Sequence, residues 1–160
     1  MDNWADFCVA QIGASAALAG LVIVGVTINL DDIIASPPLP NRVLKAVLLL
    51  ATVLFECSAL LAPHLSTFST GLTVLVLGLA FSAGVLVLNL NIYRETAQRY
   101  HRQQLFQIVL SQFATLSFVM AGTWVLFFGE GGFIWFLPGT LFCYAAALAE
   151  AWVLLIEIKR

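Results

Sequence analysis

Glu56 and Glu150 stand inside long apolar stretches, and no other residues of this chain are better placed to do chemistry. A carboxylate near the middle of a bilayer costs at least a few kcal/mol unless it is protonated, paired or hydrated. No predicted span carries a Lys or Arg in its interior to pair with either residue. Each carboxyl is therefore expected to take part in a proton or cation path, or to join helices as a protonated hydrogen-bonding group. Glu150 belongs to a repeat, Cys143, Glu150 and Glu157, which draws a polar line along one helix. Across a tight hairpin it comes level with Ser111 and Gln112. The stripe Gln104, Gln107, Ser111 and Thr115 runs through that region at helical spacing and is its best polar partner. Glu56 has a shorter series, with Thr52 one turn before it and His64 at the mouth. Counting along the helices from the span centres puts Glu56 about 5 Å toward one surface and Glu150 about 7 Å toward the other, too far apart to touch.

Other chemistry finds no support. Cys8, Cys57 and Cys143 fall in three different spans, and the two histidines, His64 and His101, fall on opposite sides, so no shared metal site is expected. There is no nucleophile elbow, phosphate-binding glycine loop or zinc-protease helix. The expectation is a protein that is not an enzyme and needs no cofactor. Its formal net charge of −2, without a basic patch, sets nucleic acid aside.

The elements that must position these residues follow from composition. At 61% hydrophobic and 10% charged, with a mean hydropathy of +0.99, the chain has too little polar surface to cover a soluble globule, whose charged fraction is about a quarter. An all-α integral membrane helical bundle is expected, a single transmembrane domain over residues 1–160 with the lipid bilayer as its main partner. Five spans are long enough to cross, at about 8–30, 43–62, 72–93, 105–128 and 133–158. Pro37, Pro38 and Pro40 break the chain before the second span, Pro63 ends it, and Gly129, Gly131 and Gly132 turn the fourth into the fifth.

All seven basic residues (Arg42, Lys45, Arg94, Arg99, Arg102, Lys159 and Arg160) fall in the gaps after spans one, three and five or, for Lys45, at the adjoining edge of the second span. By the positive-inside rule the N-terminus is out and the C-terminus in. Trp4, Phe7, Phe68, Trp124, Phe127, Phe128, Phe133, Trp135 and Phe136 mark the outer ends, and Tyr93, Tyr100 and Phe106 the inner ones. The first helix starts with Asp2 and Asp6 rather than basic residues and is longer than a secretory core, so it is expected to be retained. In the inner loop, Arg94, Arg99 and Arg102 suit anionic lipid headgroups as well as topology anchoring.

Helices in lipid pack by close approach through small residues. Gly13, Ala17, Gly20 and Thr27 share one face of the first helix, and Gly71, Gly78 and Ser82 share one face of the third. The first helix is therefore expected to be the central packing element, within the bundle or between protomers.

The stretch ASAALAGLVIVGVTINLDDI followed by LPNR, with the closing FIWFLPGTL and AWVLLIEIKR, resembles a family of small bacterial polytopic integral membrane proteins with no assigned activity. The resemblance is most specific at Asn29, Leu30 and Asp31, at Leu137, Pro138 and Gly139, and at the terminal AWVLLIE. It implies a bacterial inner-membrane location and supplies no site residues. Two functional expectations result. One is a small homo-oligomeric channel or proton or ion pathway that uses the intramembrane carboxyls. The alternative is a non-catalytic accessory or scaffold subunit with a membrane-protein partner, the carboxyls serving as glue.

Overall fold

The computed structural model describes residues 2–35, 38–63, 66–95 and 101–157, and no strand occurs among them. Six helices follow in order: α1 (Asp2–Ile28), α2 (Leu30–Ala35), α3 (Pro38–Leu60), α4 (Thr67–Glu95), α5 (His101–Phe128) and α6 (Phe136–Glu157). All but the short α2 belong to five segments long and apolar enough to cross a membrane. This is a multi-pass, all-helical membrane protein.

Local chemistry sets the helix ends. Pro38 occupies the first turn of α3, where its missing N–H is no loss, and it starts the helix five residues earlier than the predicted span. The Ser66 side chain accepts from the Ser69 N–H at 3.2 Å and so caps the start of α4. Gly129, at φ 72°, takes the left-handed conformation that terminates α5. The chain then runs through a 3-10 segment, Gly129–Trp135, before α6 begins. The turn is thus longer than the hairpin read from the glycines alone.

Four helices close a ring. α3 packs on α4, α4 on α5, α5 on α6, and α6 back on α3, while α3 and α5 face each other across the ring with little contact. The α4–α5 seam is the most extensive, because Gly122 lets the two backbones approach. A Cβ at Gly122 would lie 2.5 Å from the Leu75 amide nitrogen. Gly71, Gly78 and Ser82 are buried along the same seam, against Val125, Val119 and Gln112 of α5.

The first helix departs from expectation. Only 11% of its spanning window is buried, against 33 to 44% in the other four, so α1 leans on the outside of the ring instead of organising it. Gly13, Ala17, Gly20 and Thr27 all face outward, and a Cβ at Gly13 or Gly20 would meet nothing within 4 Å. The inward contacts of α1 come from other residues. Ser15 donates to the Leu50 carbonyl, and Tyr144 Oη donates to the Gln11 carbonyl at 2.9 Å. Cys8 is buried against α3 and α6. Small residues on a helix allow close approach without requiring it, and within one chain this face has no partner among the described residues.

The two ends of the bundle differ. Trp4, Phe7, Phe133, Phe136 and Phe118 interlock at one end, with ring centroids 5.3 to 6.3 Å apart, and Trp124 lies tilted against Phe128 with centroids 4.8 Å apart. The opposite, basic end gathers the start of α3, the end of α4 and the start of α5, with Arg94 and Arg102 exposed there. Arg99, His64, Tyr100, Lys159 and Arg160 lie outside the described residues.

Candidate functional site

The polar interior begins on α3. Arg42, Lys45, Thr52 and Glu56 are all buried, and their spacing puts them on one stripe, interrupted only by Leu49. Because α3 begins at Pro38, Arg42 and Lys45 are helical residues facing the ring interior, not anchors in a surface loop. That overturns the expectation that no span carries a basic partner for the carboxyls.

Glu150 is the partner. Arg42 Nη1 donates to Glu150 Oε2 at 3.1 Å, and Lys45 Nζ donates to Glu150 Oε1 at 2.7 Å. The same guanidinium donates to Gln107 Oε1 at 3.3 Å and to Gln104 Oε1 at 2.9 Å. One carboxylate thus answers two cations, and α3, α5 and α6 are tied together by charge-assisted bonds in a region that excludes water. Glu150 is held here as an ion-pair anchor. It does not meet Ser111 or Gln112, because Arg42 stands between the fourth-span stripe and the carboxylate.

The stripe on α5 divides instead among three neighbours. Gln104 and Gln107 turn toward Arg42. Ser111 Oγ donates to the Gln107 carbonyl at 2.8 Å and accepts from Asn89 Nδ2 of α4 at 3.1 Å. Gln112 Nε2 donates to Ser82 Oγ at 2.9 Å, and the Thr115 hydroxyl returns to the Ser111 carbonyl at 3.3 Å. These groups continue the polar interior from the charged cluster toward the bundle centre. α6 contributes none of that continuation. Cys143 is buried in the apolar core with Cys8, Cys57, Ala146 and Ala147 around it, so the line expected through Cys143 and Glu150 is broken one turn from Glu150. The side chain of Glu157 lies outside the described residues.

Glu56 ends the column, alone. It is 0% exposed, and neither carboxyl oxygen has a hydrogen-bond partner among the described residues. The site sits where three helices converge. A Cβ at Gly78 of α4 would lie 3.3 Å from Glu56 Oε1 and 3.1 Å from the Val119 amide nitrogen of α5. Thr52, one turn before, is buried too, its hydroxyl donating to the Leu48 carbonyl at 2.8 Å. Eleven residues separate Lys45 from Glu56 along α3, an axial rise of about 16 Å, so the two carboxyls do not meet. An uncharged Glu56 has one proton to donate and an ionised one has a charge to neutralise, and either form lacks a partner among the described residues.

No protein-family model, curated protein or solved structure matches this chain. What the site can do therefore rests on its own geometry. No group of three or more His, Cys, Asp or Glu that would hold a metal ion occurs among the described residues.

Sequence reasoning missed Lys45, Arg42 and Asn89 as interior groups. The signal was present, since positions 42, 45, 49, 52 and 56 repeat with the three-and-four spacing of one helix face. Asn89 likewise stands seven residues from Ser82 on the face that also carries Gly71, Gly78 and Val85.

Proposed function

We propose that this membrane protein provides a pathway for protons or small cations, with Glu56 as the group that takes up and releases the charge. The observation that carries this reading is the complete burial of Glu56 without a partner among the described residues, at the end of a column of polar side chains that starts at the basic end. A carboxyl that served only as glue would spend its oxygens on a neighbouring helix. Glu150 does so; Glu56 does not. In this reading the basic end faces the cytoplasm of a bacterial cell, with the N-terminus outside. The Arg42, Lys45, Glu150, Gln104 and Gln107 cluster forms the inner mouth. Asn89, Ser111, Thr115 and Thr52 bridge toward Glu56, their hydroxyl and amide groups supplying both donors and acceptors for a relay. The reaction is translocation, with no covalent chemistry.

A membrane-permeant carbodiimide tests the assignment, because it modifies carboxyls that lie protonated in apolar surroundings. The expected product is an adduct on Glu56, mapped by mass spectrometry, that forms in step with loss of proton flux while Glu150 stays unmodified. Modification of Glu150 in preference, or modification of Glu56 with flux intact, contradicts the assignment.

A second reading rests on α1. Its outward face, with Gly13, Ala17 and Gly20 in open space, fits a helix of another copy or of a membrane-protein partner. In that role the protein is a homo-oligomer or an accessory subunit. Crosslinking from single cysteines on that face in native membranes separates the two, and recovery of neither self-contacts nor a partner removes this reading.

A further inference from the structure

Among the described residues, the charged cluster at the basic end is one formal positive charge in excess, and two of its donors have nothing to donate to. Arg42 and Lys45 share the single carboxylate of Glu150. Glu95, at the end of α4, is exposed and accepts from Asn41 at 3.2 Å, so it neutralises neither. Arg42 Nε and Gln104 Nε2 are buried and without an acceptor among the described residues. The orientation of the Gln104 amide is fixed by chemistry. Arg42 Nη2 only donates, so Gln104 Oε1 must face it, and the amide N–H groups are left free. In a guanidinium, Nε and Nη2 lie on the same edge, so the unused Arg42 N–H lies beside the bond to Gln104.

We propose that this corner binds an oxyanion, a phosphate group held by Arg42 Nε and Gln104 Nε2 and drawn in by the unbalanced charge of Arg42 and Lys45. A buried net cation with two free donors is costly in a low-dielectric interior, and an anion removes both costs together. Phosphate suits the geometry because it presents several acceptor oxygens to the fork of an arginine edge. Arg42 lies in the second turn of α3 and Gln104 in the first turn of α5, close to the depth of headgroups. The phosphate comes either from solution or from the phosphodiester of an inner-leaflet lipid. The site stands whether or not Glu56 carries protons.

The experiment uses the full chain, delipidated in neutral detergent, and follows its thermal unfolding. One arm adds inorganic phosphate against gluconate at equal ionic strength, and the other adds phosphatidylglycerol against diacylglycerol. The variant is Gln104→Glu. Its carboxylate still accepts from Arg42, removes the free donor and cancels the surplus charge, so the fold is retained. Wild type is expected to gain Tm saturably in at least one arm, the phosphate arm marking a free anion and the lipid arm a headgroup. Gln104→Glu is expected to need about tenfold or more of the same probe for the same shift. A wild type that responds to neither probe overturns the proposal. So does a Gln104→Glu variant that responds at the same concentrations as wild type.

Discussion

Glu150→Ala is expected to cost about 3 to 5 kcal/mol of bundle stability, the largest effect of any single side-chain truncation in this chain. The reason is asymmetric. Removing Glu150 deletes one residue but leaves two buried cations, Arg42 and Lys45, without the carboxylate they share at 3.1 and 2.7 Å. Both are nearly inaccessible to water, so neither recovers a hydration shell without opening the ring. Replacing the whole triad with apolar residues of similar size, as in Arg42→Met, Lys45→Met and Glu150→Leu together, is expected to restore most of the loss, because no charge then remains to desolvate. The comparison is read by thermal or denaturant unfolding in detergent. If Glu150→Ala alone is as stable as wild type, the ion-pair anchor is wrong.

Gly122→Val is expected to be comparably damaging for a different reason. Its Cβ would stand 2.5 Å from the Leu75 amide nitrogen, 2.7 Å from the Leu75 Cα and 2.9 Å from its Cβ, so the obstruction is chiefly backbone and cannot be relieved by a rotamer change. The α4–α5 seam must part, and overpacking of this kind costs about 1 to 3 kcal/mol or more. Parting that seam also disturbs the packing of Val119 against Gly78, beside Glu56, so activity should fall along with stability. Gly20→Val serves as the contrast. With nothing within 4 Å of the added Cβ, its effect on the isolated chain should stay within about 1 kcal/mol. Unfolding measurements on the two variants side by side decide the matter, and equal losses would contradict the packing described.

The architecture was largely legible from composition and punctuation. Five apolar stretches of spanning length, Pro38 and Pro63 around the second span and the glycines from Gly129 onward define the helices with small errors at the ends. The site was legible only in part, and the error began at one of those ends. Starting the second span at Val43 in place of Pro38 left Arg42 outside it and Lys45 at its margin, where basic residues ordinarily anchor topology. Whether such a side chain snorkels to the surface or turns inward depends on what the facing helices offer, and hydropathy carries no such information. Here Gln104 and Gln107 of α5 and Glu150 of α6 offer acceptors, from residues separated by more than 60 positions in the chain. The glycines show the same limit. Gly13 and Gly20 form as clear a small-residue pattern as Gly71 and Gly78, yet only the latter pair is buried, because α1 is peripheral. Pairing between helices is a tertiary fact, and one-dimensional spacing states which faces are able to pack without stating which do.

Glu56 is where reading and structure agree most usefully. Its burial in mid-span was evident from position, and the structure adds that Glu150 has partners which Glu56 lacks among the described residues. The most direct measurement of its role is proton flux into proteoliposomes under an imposed membrane potential, comparing wild type with Glu56→Gln reconstituted at equal density. The substitution keeps shape and volume and removes only the capacity to titrate. Flux above that of protein-free liposomes for wild type, reduced about tenfold or more in Glu56→Gln, is the predicted result. Equal flux in the two, or none above background in wild type, contradicts it.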